Sequence, residues 1–486
     1  MNDNEQPKSL ELLSKLGLYT TIAIVIGAMV GSGIFKKPAT MASQLGSPEL
    51  LIAIWVVAGI ITLFGALTNG EVAGMISKTG GQYIYFRRMY GDFFGFIYGW
   101  AMLIVVQTGS IASITYVFAQ YTEYFWQLPR FSHEIEQSVR IFLPGIGEIY
   151  PLQDFGVKAL AIFVVNMLSL INYYGVKSGG LVSAFFTWAK VAAIGALIFF
   201  GFAYGNGSFG NFAADTQGFS ISGISLMGGI VAALSGAFWA FDGWNNITYI
   251  GKEVKDSNRT IPKALFWGTL IVIIIYVLTN LAYLYVMPVG EMAGSQLVAS
   301  DVAARAFGSF GAGFVAAAVM ISTFGTSNGT ILVSARVYFA MSRDGLFYEP
   351  FGRIQPRYRT PANSLLLQSA WTSVLILSGT FDILTDMLIF VSWVFYALGA
   401  YGVFILRRKM PDEPRPYKVF GYPYIPIIFI AFAVVFVFLT LYNDIATYYE
   451  TKDALDGETN VIRSLFGLLL VATGVPFYLF FKRKKN

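Results

Sequence analysis

A short glycine-rich segment, Gly31-Ser32-Gly33, lies inside the first long uncharged stretch of the chain. Glycine tolerates backbone conformations that other residues avoid, and it places no side chain between the backbone and a ligand. If the helix unwinds here, free N–H groups and the positive end of a new half-helix from Ile34 onward would bind a carboxylate. The alternative is close helix packing through small residues, a pattern that Gly27 and Gly31 also fit.

A second candidate is Asp242, an isolated charge in an apolar stretch and followed by Gly243. An ionisable residue inside a span is costly and indicates a functional site. Helix carbonyls released near Phe238–Phe241 would suit an ammonium group, so the two breaks together would suit a zwitterion. Asp242 would either cap a half-helix that begins at Gly243 or favour a cationic ligand side chain, and the two roles can coexist. Trp239 and Phe241 would either line this pocket or belong to the core.

Lys190 is another isolated charge, near the start of the fifth apolar stretch. It would either snorkel to the membrane surface or pair with carbonyls inside the helix bundle. In a carrier with broken helices, those carbonyls would be the ones near span 1, with Ser322 or Thr323 opposite. A fixed ammonium there would make external sodium unnecessary.

Long apolar runs must position these residues. Hydrophobic residues make up 56% of the 486 and charged residues only 13%, whereas soluble proteins carry about a quarter charged residues. About 20 apolar residues are needed to cross a bilayer as a helix. The runs predict an all-α polytopic membrane protein with twelve spans: 17–45, 50–76, 92–124, 156–175, 182–204, 222–250, 262–287, 310–340, 362–379, 383–407, 421–443 and 461–481.

The distribution of charge predicts the orientation. With the N-terminus in the cytoplasm, twelve spans return the C-terminus there, and 24 lysines and arginines fall on the cytoplasmic side against 8 on the other. The positive-inside rule therefore predicts that both termini are cytoplasmic. The polar start Met1–Leu10 does not resemble a signal peptide. The pI of about 9 thus needs no nucleic-acid partner.

The two halves of the chain correspond roughly. Glycine interrupts the first span of each half, at 27–33 and at 236–243, and such paired interruptions point to an inverted-repeat transporter with a site at the membrane midplane. We expect a transport core at 1–407, made of a first repeat at 17–204 and a second at 222–407. A proline-rich linker and the last two helices would follow at 408–486.

Ordered motifs resemble the amino acid–polyamine–organocation (APC) superfamily, specifically its L-type amino acid transporter (LAT) family, over about residues 15–482. Gly31-Ser32-Gly33-Ile34-Phe35 is similar to the family's carboxylate-binding turn, and the segment from Phe238 to Asn246 to its span 6 signature. Phe324–Gly329 with Ser334-Ala335-Arg336 resembles span 8. Arg415-Pro416-Tyr417-Lys418 resembles the linker into span 11.

The resemblance implies a LeuT-like fold of five plus five helices with discontinuous helices 1 and 6 and two extra helices, in the cell membrane. It implies alternating access and, in most members, obligatory exchange of L-amino acids. Gly31, Ser32 and Gly33 would bind the substrate carboxylate, with Ala28 and Met29 beside them, and carbonyls near Phe238–Phe241 would bind the amine. Trp239 would gate the outside, and Lys190 would stand where sodium sits in sodium-coupled relatives. The aspartate at 242 resembles the branch that carries dibasic and neutral amino acids.

Two departures from the family pattern concern partners and specificity. Animal members attach a heavy chain through a cysteine in the loop after span 3, and this chain has no cysteine at all. A disulfide-linked heavy chain is therefore excluded, and we expect a monomer or a weak homo-oligomer. Many animal members also carry a basic residue followed by proline in span 3, where this chain has Gln107-Thr108.

Rival functions differ in the residues they need. A proton-coupled symporter would use Asp242 or Lys190 as its titrating group. A membrane-embedded enzyme would need clustered acids or histidines at depth, and the sequence suggests that only those two charges lie deep in spans. A channel would need rings of charge or repeated filter carbonyls. No cofactor or metal is expected, since cysteine is absent and His133 is the single histidine.

Overall fold

The structure is a computed structural model that describes residues 16–76, 80–174, 179–213, 224–451 and 459–485. The polar start Met1–Leu10, and Lys8, Lys15, Lys78, Lys177 and Lys452 of the charge argument, lie outside these residues. The α-helices are α1 (Leu18–Met29), α2 (Gly33–Leu45), α3 (Pro48–Met75), α4 (Gln82–Tyr90), α5 (Asp92–Ala101), α6 (Gln107–Thr122), α7 (His133–Gln137), α8 (Phe155–Tyr174), α9 (Gly179–Phe202), α10 (Ile224–Phe241), α11 (Ser257–Val286), α12 (Val289–Ala293), α13 (Val298–Arg343), α14 (Ala362–Ser378), α15 (Phe381–Lys409), α16 (Tyr424–Thr451), α17 (Arg463–Ala472) and α18 (Gly474–Lys485).

Ten helical stretches of the described chain are long and apolar enough to cross a membrane. They coincide with ten of the twelve predicted spans, which confirms the prediction of a polytopic helical membrane protein. The other two predicted spans fall on α9 and α14, of which α14 has 17 residues. The eighth span begins earlier than predicted, because α13 continues from Val298 through a kink at Gly308, where φ is +67°.

Short non-α segments join several helices of the described chain. A π-helical turn, Met102–Val106, connects α5 to α6, and a 3-10 helix, Asn246–Glu253, follows α10. Between α2 and α3, Gly46 ends α2 in a left-handed conformation, and the Ser47 hydroxyl caps the N–H of Leu50 at the start of α3. Glycine suits position 46 because it adopts the left-handed conformation without strain. Serine suits position 47 because its side-chain oxygen accepts a hydrogen bond from a free N–H group at the helix start.

The long segment 123–154 is not purely irregular, so the all-α prediction needs a correction. Strands β1 (Ile141–Leu143) and β2 (Gly147–Ile149) pair antiparallel, and β3 (Asn460–Val461) adds to β2. Gly145, with φ of +72°, lies in the turn that joins the first two strands, a conformation that glycine favours. We call this side of the bundle the loop face and the opposite side, where Leu16 lies, the N-terminal face.

The helices around the two breaks pack closely. α2 lies along α10, α1 and α3 pack on α11, and α6 and α9 pack on α13. The last helices are also in contact with this group, because α16 packs on α3, α10 and α15, and α17 on α15. On α10, the ring of Phe238 lies 5.1 Å from that of Phe436 on α16.

Candidate functional site

The first membrane helix breaks at residues 30–32, between α1 and α2. The break is at the predicted place. The second half-helix, α2, begins at Gly33, one residue before its predicted start at Ile34. Ser32 is the N-terminal boundary residue of α2, and its carbonyl accepts hydrogen bonds from the N–H groups of Phe35 and Lys36. The start of α2 points into the bundle and supplies the positive end of a helix there. Gly31 and Gly33 are not among the glycines with positive φ, so the break does not use that freedom.

Close approach of the two broken helices explains one of these glycines. A Cβ atom at Gly33 would lie 2.4 Å from Cα of Ala240 on α10, whereas one at Gly31 would meet nothing closer than Thr326 at 3.5 Å. Gly27 packs against Thr187 on α9, with an added Cβ only 2.2 Å from its hydroxyl oxygen. The packing interpretation therefore holds for Gly27 and Gly33, while a Cβ at Gly31 would make only ordinary van der Waals contacts.

A tyrosine on α11 links the two breaks. The buried hydroxyl of Tyr276 lies 2.7 Å from the carbonyl oxygen of Met29, the last residue of α1, and 2.9 Å from that of Ala240. Helix ends leave carbonyls without helical partners, and one hydroxyl here serves both helices. The sequence offered no signal for this residue, which resembles any other tyrosine of an apolar span.

A small cavity lies between the breaks, with about 20 Å³ of space for water-sized molecules. That is room for a water molecule, so an amino acid would need the helices to separate. It brings together seven of the predicted residues, and four more positions come from α6 and α13. The lining comprises Ala28, Met29, Gly31, Ser32, Gly33, Ser110, Ile114, Trp239, Asp242, Gly243, Asn246, Thr326 and Thr330.

Two buried polar groups of this cavity have no protein partner. Among the described residues, nothing hydrogen-bonds the hydroxyl of Ser32 or the indole N–H of Trp239. Buried polar groups are normally paired, so a group without a partner beside a cavity indicates a place for a ligand or for water. Toward the loop face, the Trp239 ring meets the edge of Phe381, with ring centroids 6.1 Å apart.

Asp242 is partly buried at the end of α10, and its carboxylate accepts a 3.0 Å hydrogen bond from the hydroxyl of Tyr396 on α15. Gly243 has φ of +91° and turns the chain out of the helix. No half-helix begins at Gly243: the next helical turn starts at Asn246, with Asn245 as its boundary residue. The expected capping role therefore needs correction, since Asp242 instead holds a neighbouring span through a side-chain bond.

Two predicted lining residues point elsewhere. Phe238 packs against Trp393, with ring centroids 4.0 Å apart, and Phe241 packs against Tyr276 and Trp55. Because successive side chains of a helix point about 100° apart, Trp239 and Asp242 can face the cavity while these two rings face the core. Their side chains do not line the cavity.

Lys190 is 4% exposed, which rules out the snorkelling alternative. Its ammonium donates to the Gly27 carbonyl at 2.6 Å and to the Thr326 hydroxyl at 2.8 Å. The predicted pairing with a carbonyl of span 1 is thus present, but Ser322 and Thr323 are not the partners on α13. The hydroxyl of Ser322 has no partner among the described residues, because the ammonium lies one helical turn further along.

A second cavity continues from this site toward the N-terminal face. It is lined by Ala28, Asn246, Thr326 and Thr330 of the first cavity, by Lys190, and by Glu253 and Arg336. The Arg336 guanidinium and the Glu253 carboxylate form an ion pair of 2.9 Å. The second cavity thus adjoins the site on the side of the N-terminal face, while the Trp239 and Phe381 rings cover the site on the loop face.

Comparison with known proteins decides the family. A profile described as amino acid permease matches residues 16–470. This chain belongs to the amino acid permease family. The resemblance to the APC superfamily that the motifs indicated is therefore confirmed.

The relatives of this permease are named as transporters and exchangers. It is 32% identical to the serine/threonine exchanger SteT of Bacillus subtilis over 423 residues, which cover 86% of this chain and 89% of the relative. It is 30% identical to the human b(0,+)-type amino acid transporter 1, over 86% of this chain and 80% of the relative. It is also 28% identical to the human cystine/glutamate transporter, over 98% and 88%.

Several residues of the permease site escaped the sequence analysis. Ser110 and Ile114 on α6 and Thr330 on α13 line the cavity, and the Gln107 amide donates to the side-chain oxygen of Asn246 at 3.3 Å. Serine, threonine, isoleucine and a single glutamine are all ordinary residues for a membrane helix. Only the packing of α6 and α13 around the breaks identifies them.

Charged residues other than Asp242 and Lys190 are buried within the predicted spans. Glu71 on α3 is 1% exposed and accepts two hydrogen bonds from the Arg407 guanidinium, at 2.8 and 2.7 Å. Lys37 on α2 is 2% exposed and pairs with Asp382. Within the described chain no three acidic or histidine residues are grouped to hold a metal ion.

Proposed function

We propose that this permease is a sodium-independent exchanger of neutral L-amino acids that works by alternating access. The observation that carries the proposal is the meeting of two broken helices at one cavity, with the Ser32 hydroxyl unpaired. The family and its relatives are transporters, and the relatives named above include an exchanger. A membrane-embedded enzyme has no support of this kind.

The two breaks would bind the two charged groups of an amino acid. The N–H groups of Gly31, Ser32 and Gly33, with the Ser32 hydroxyl, would bind the carboxylate at the positive start of α2. The carbonyls of Phe238–Phe241 would accept from the amine, and Ala28 and Met29 would lie beside it. Trp239 would act as the gate, because its ring covers the cavity toward the loop face.

Lys190 would replace a coupling ion. Its ammonium already bonds the Gly27 carbonyl next to the break and Thr326 across from it. A sodium ion needs oxygen ligands of this kind, and a permanently tethered ammonium occupies them. Transport should therefore not depend on a sodium gradient.

The fold that goes with this mechanism is a LeuT-like 5+5 inverted repeat with two extra helices, twelve in all. The repeats would span 17–204 and 222–407, with 408–486 as linker and last helices. Both termini would be cytoplasmic in the cell membrane, so the N-terminal face would be the inner face and the loop face the outer one. The structure would then represent a state closed to the outside.

A decisive test uses proteoliposomes with purified protein. Uptake of radiolabelled serine, alanine or leucine should require an amino acid inside the vesicles and should be unchanged when sodium is replaced by potassium. Empty vesicles serve as the control. Uptake into empty vesicles that depends on a pH gradient would instead establish the proton-coupled symporter, a function that the relatives do not favour.

Asp242 would extend the substrate range to cationic amino acids. Its carboxylate borders the cavity, and one of its oxygens accepts a hydrogen bond from the Tyr396 hydroxyl. Asp242→Asn should weaken arginine and lysine uptake much more than leucine or alanine uptake. Tyr396→Phe is the matched control, because it removes the hydrogen bond and keeps the charge. Equal loss for all substrates in both variants would show that Asp242 only holds the break against α15.

A further inference from the structure

A buried lysine lies about one helical turn beyond the first break. Lys37 is 2% exposed on α2, and its ammonium lies 2.7 Å from the Asp382 carboxylate and 3.0 Å from the Thr385 hydroxyl, both on α15. The same ammonium lies 4.7 Å from the ring centroid of Phe381, within cation–π distance. Phe381 also meets the edge of Trp239. The Phe381 ring is therefore held between the Trp239 ring and the Lys37 ammonium.

The next turn of α15, at Asp386, contacts α10, which ends at the second break. Asp386 lies four residues after Asp382, on the same face of the helix. Its carboxylate accepts a 3.0 Å hydrogen bond from Ser235 on α10 and pairs at 2.5 Å with Arg463, the first residue of α17. One face of α15 thus binds α2, α10 and the last helices together.

The cluster can open because it is in contact with a polar space. The Asp382 side chain is 43% exposed, and Lys37, Asp382, Asp386 and Arg463 all line one cavity beside it. Ion pairs that water can reach separate at a small cost, whereas separating a fully buried pair leaves uncompensated charge.

We propose that Lys37, Asp382, Asp386 and Arg463 form a lock that holds the outer halves of the two broken helices against α15. Lys37 and Arg463 are positioning residues: they touch no substrate and set how often the outer side opens. The last two helices then take part in gating through Arg463. This inference deepens the proposed function, since it assumes that the site opens to the loop face.

The absence of cysteine from the chain allows a direct test. Val117 on α6 is fully buried and lies three residues beyond Ile114 of the cavity, on the same helix face. The hydroxyl of Tyr121, one turn further, bonds the Phe35 carbonyl of α2. A single cysteine from Val117→Cys should therefore react with a membrane-impermeant maleimide, added from the outside, only when α2 moves away.

The expected result is faster labelling when the lock is broken. On the Val117→Cys background, Lys37→Met or Asp382→Asn should raise the labelling rate by about fivefold or more, as expected for losing a hydrogen bond to a charged group. Arg463→Met should raise it by a smaller factor, about twofold. The swapped pair Lys37→Asp with Asp382→Lys should return the rate toward that of the parent.

Lys36→Met is the matched control, because Lys36 is adjacent, carries the same charge and donates to the Gln296 carbonyl rather than to Asp382. Its labelling rate should stay that of the parent. Unchanged labelling in Lys37→Met and in the isosteric Asp382→Asn, in protein that melts as the parent does, would overturn the lock. The labelling needs no amino acid, so failure of the proposed exchange would appear separately, as absent uptake by the unmodified protein.

Discussion

The contact between the two broken helices makes Gly33→Ala the most informative single change. Its added Cβ would lie 2.4 Å from Cα of Ala240 and 2.6 Å from its Cβ. Unbonded carbon atoms normally stay about 3.5–4.0 Å apart, so the overlap exceeds about 1 Å and involves backbone that cannot rotate away. Overpacking costs about 1–3 kcal/mol, occasionally more, and every 1.4 kcal/mol is about tenfold in an equilibrium.

We therefore expect Gly33→Ala to lower the melting temperature of the purified protein and to reduce amino-acid affinity about tenfold or more. The assay is a thermal-shift titration with amino acids, followed by uptake into proteoliposomes. Gly31→Ala is the matched control for stability, since its Cβ would meet nothing closer than 3.5 Å. Adding Ala240→Gly should rescue only partly, because the contact with Cα remains. A Gly33→Ala protein with the melting temperature and uptake of the parent would refute this account of the site.

Three further substitutions test groups that the structure brings together. Lys190→Met should reduce uptake about tenfold or more, because it leaves the Gly27 carbonyl beside the break without its donor. Ser322→Ala, the control, removes a hydroxyl without a partner among the described residues and should change uptake by less than about twofold. Tyr276→Phe should destabilise the protein by about 1–3 kcal/mol, since two buried carbonyls lose their shared donor; an unchanged melting temperature would contradict that role. Glu71→Gln should destabilise by about 1.5–3 kcal/mol, because the buried Glu71 carboxylate loses its charge opposite Arg407 and Arg415. This should appear as a lower melting temperature, while the exposed Glu49→Gln should melt like the parent.

Local signals were sufficient for the elements and for the breaks. Runs of uncharged residues predicted spans that the structure confirms in ten cases, since an apolar run of about 20 residues needs no tertiary context to be a membrane helix. The glycines on either side of Ser32 likewise predicted the break at 30–32. Lys190 was identified because a lone charge in an apolar run must find partners wherever the chain folds.

Local signals failed where a partner comes from another helix. Ser322 or Thr323 was predicted to lie opposite Lys190, and the structure gives Thr326 as the partner. The difference arises because the relative height of two helices is set by their packing. Phe238 faces α16 rather than the cavity, since the rotation of α10 depends on what surrounds it. Lys37 is paired with Asp382, which lies 345 positions later in the chain, and no local pattern connects the two.

The sequence by itself determined the class of protein, the position of most spans, the two breaks and the family, because hydrophobicity, glycine and motif order are properties of short segments. Tertiary structure alone decided that Tyr276 joins the breaks, that Asp242 bonds Tyr396, and that Lys37 pairs with Asp382. These contacts depend on the height and rotation of each helix in the bundle. Many side chains packing at once fix those quantities, and no single segment records them.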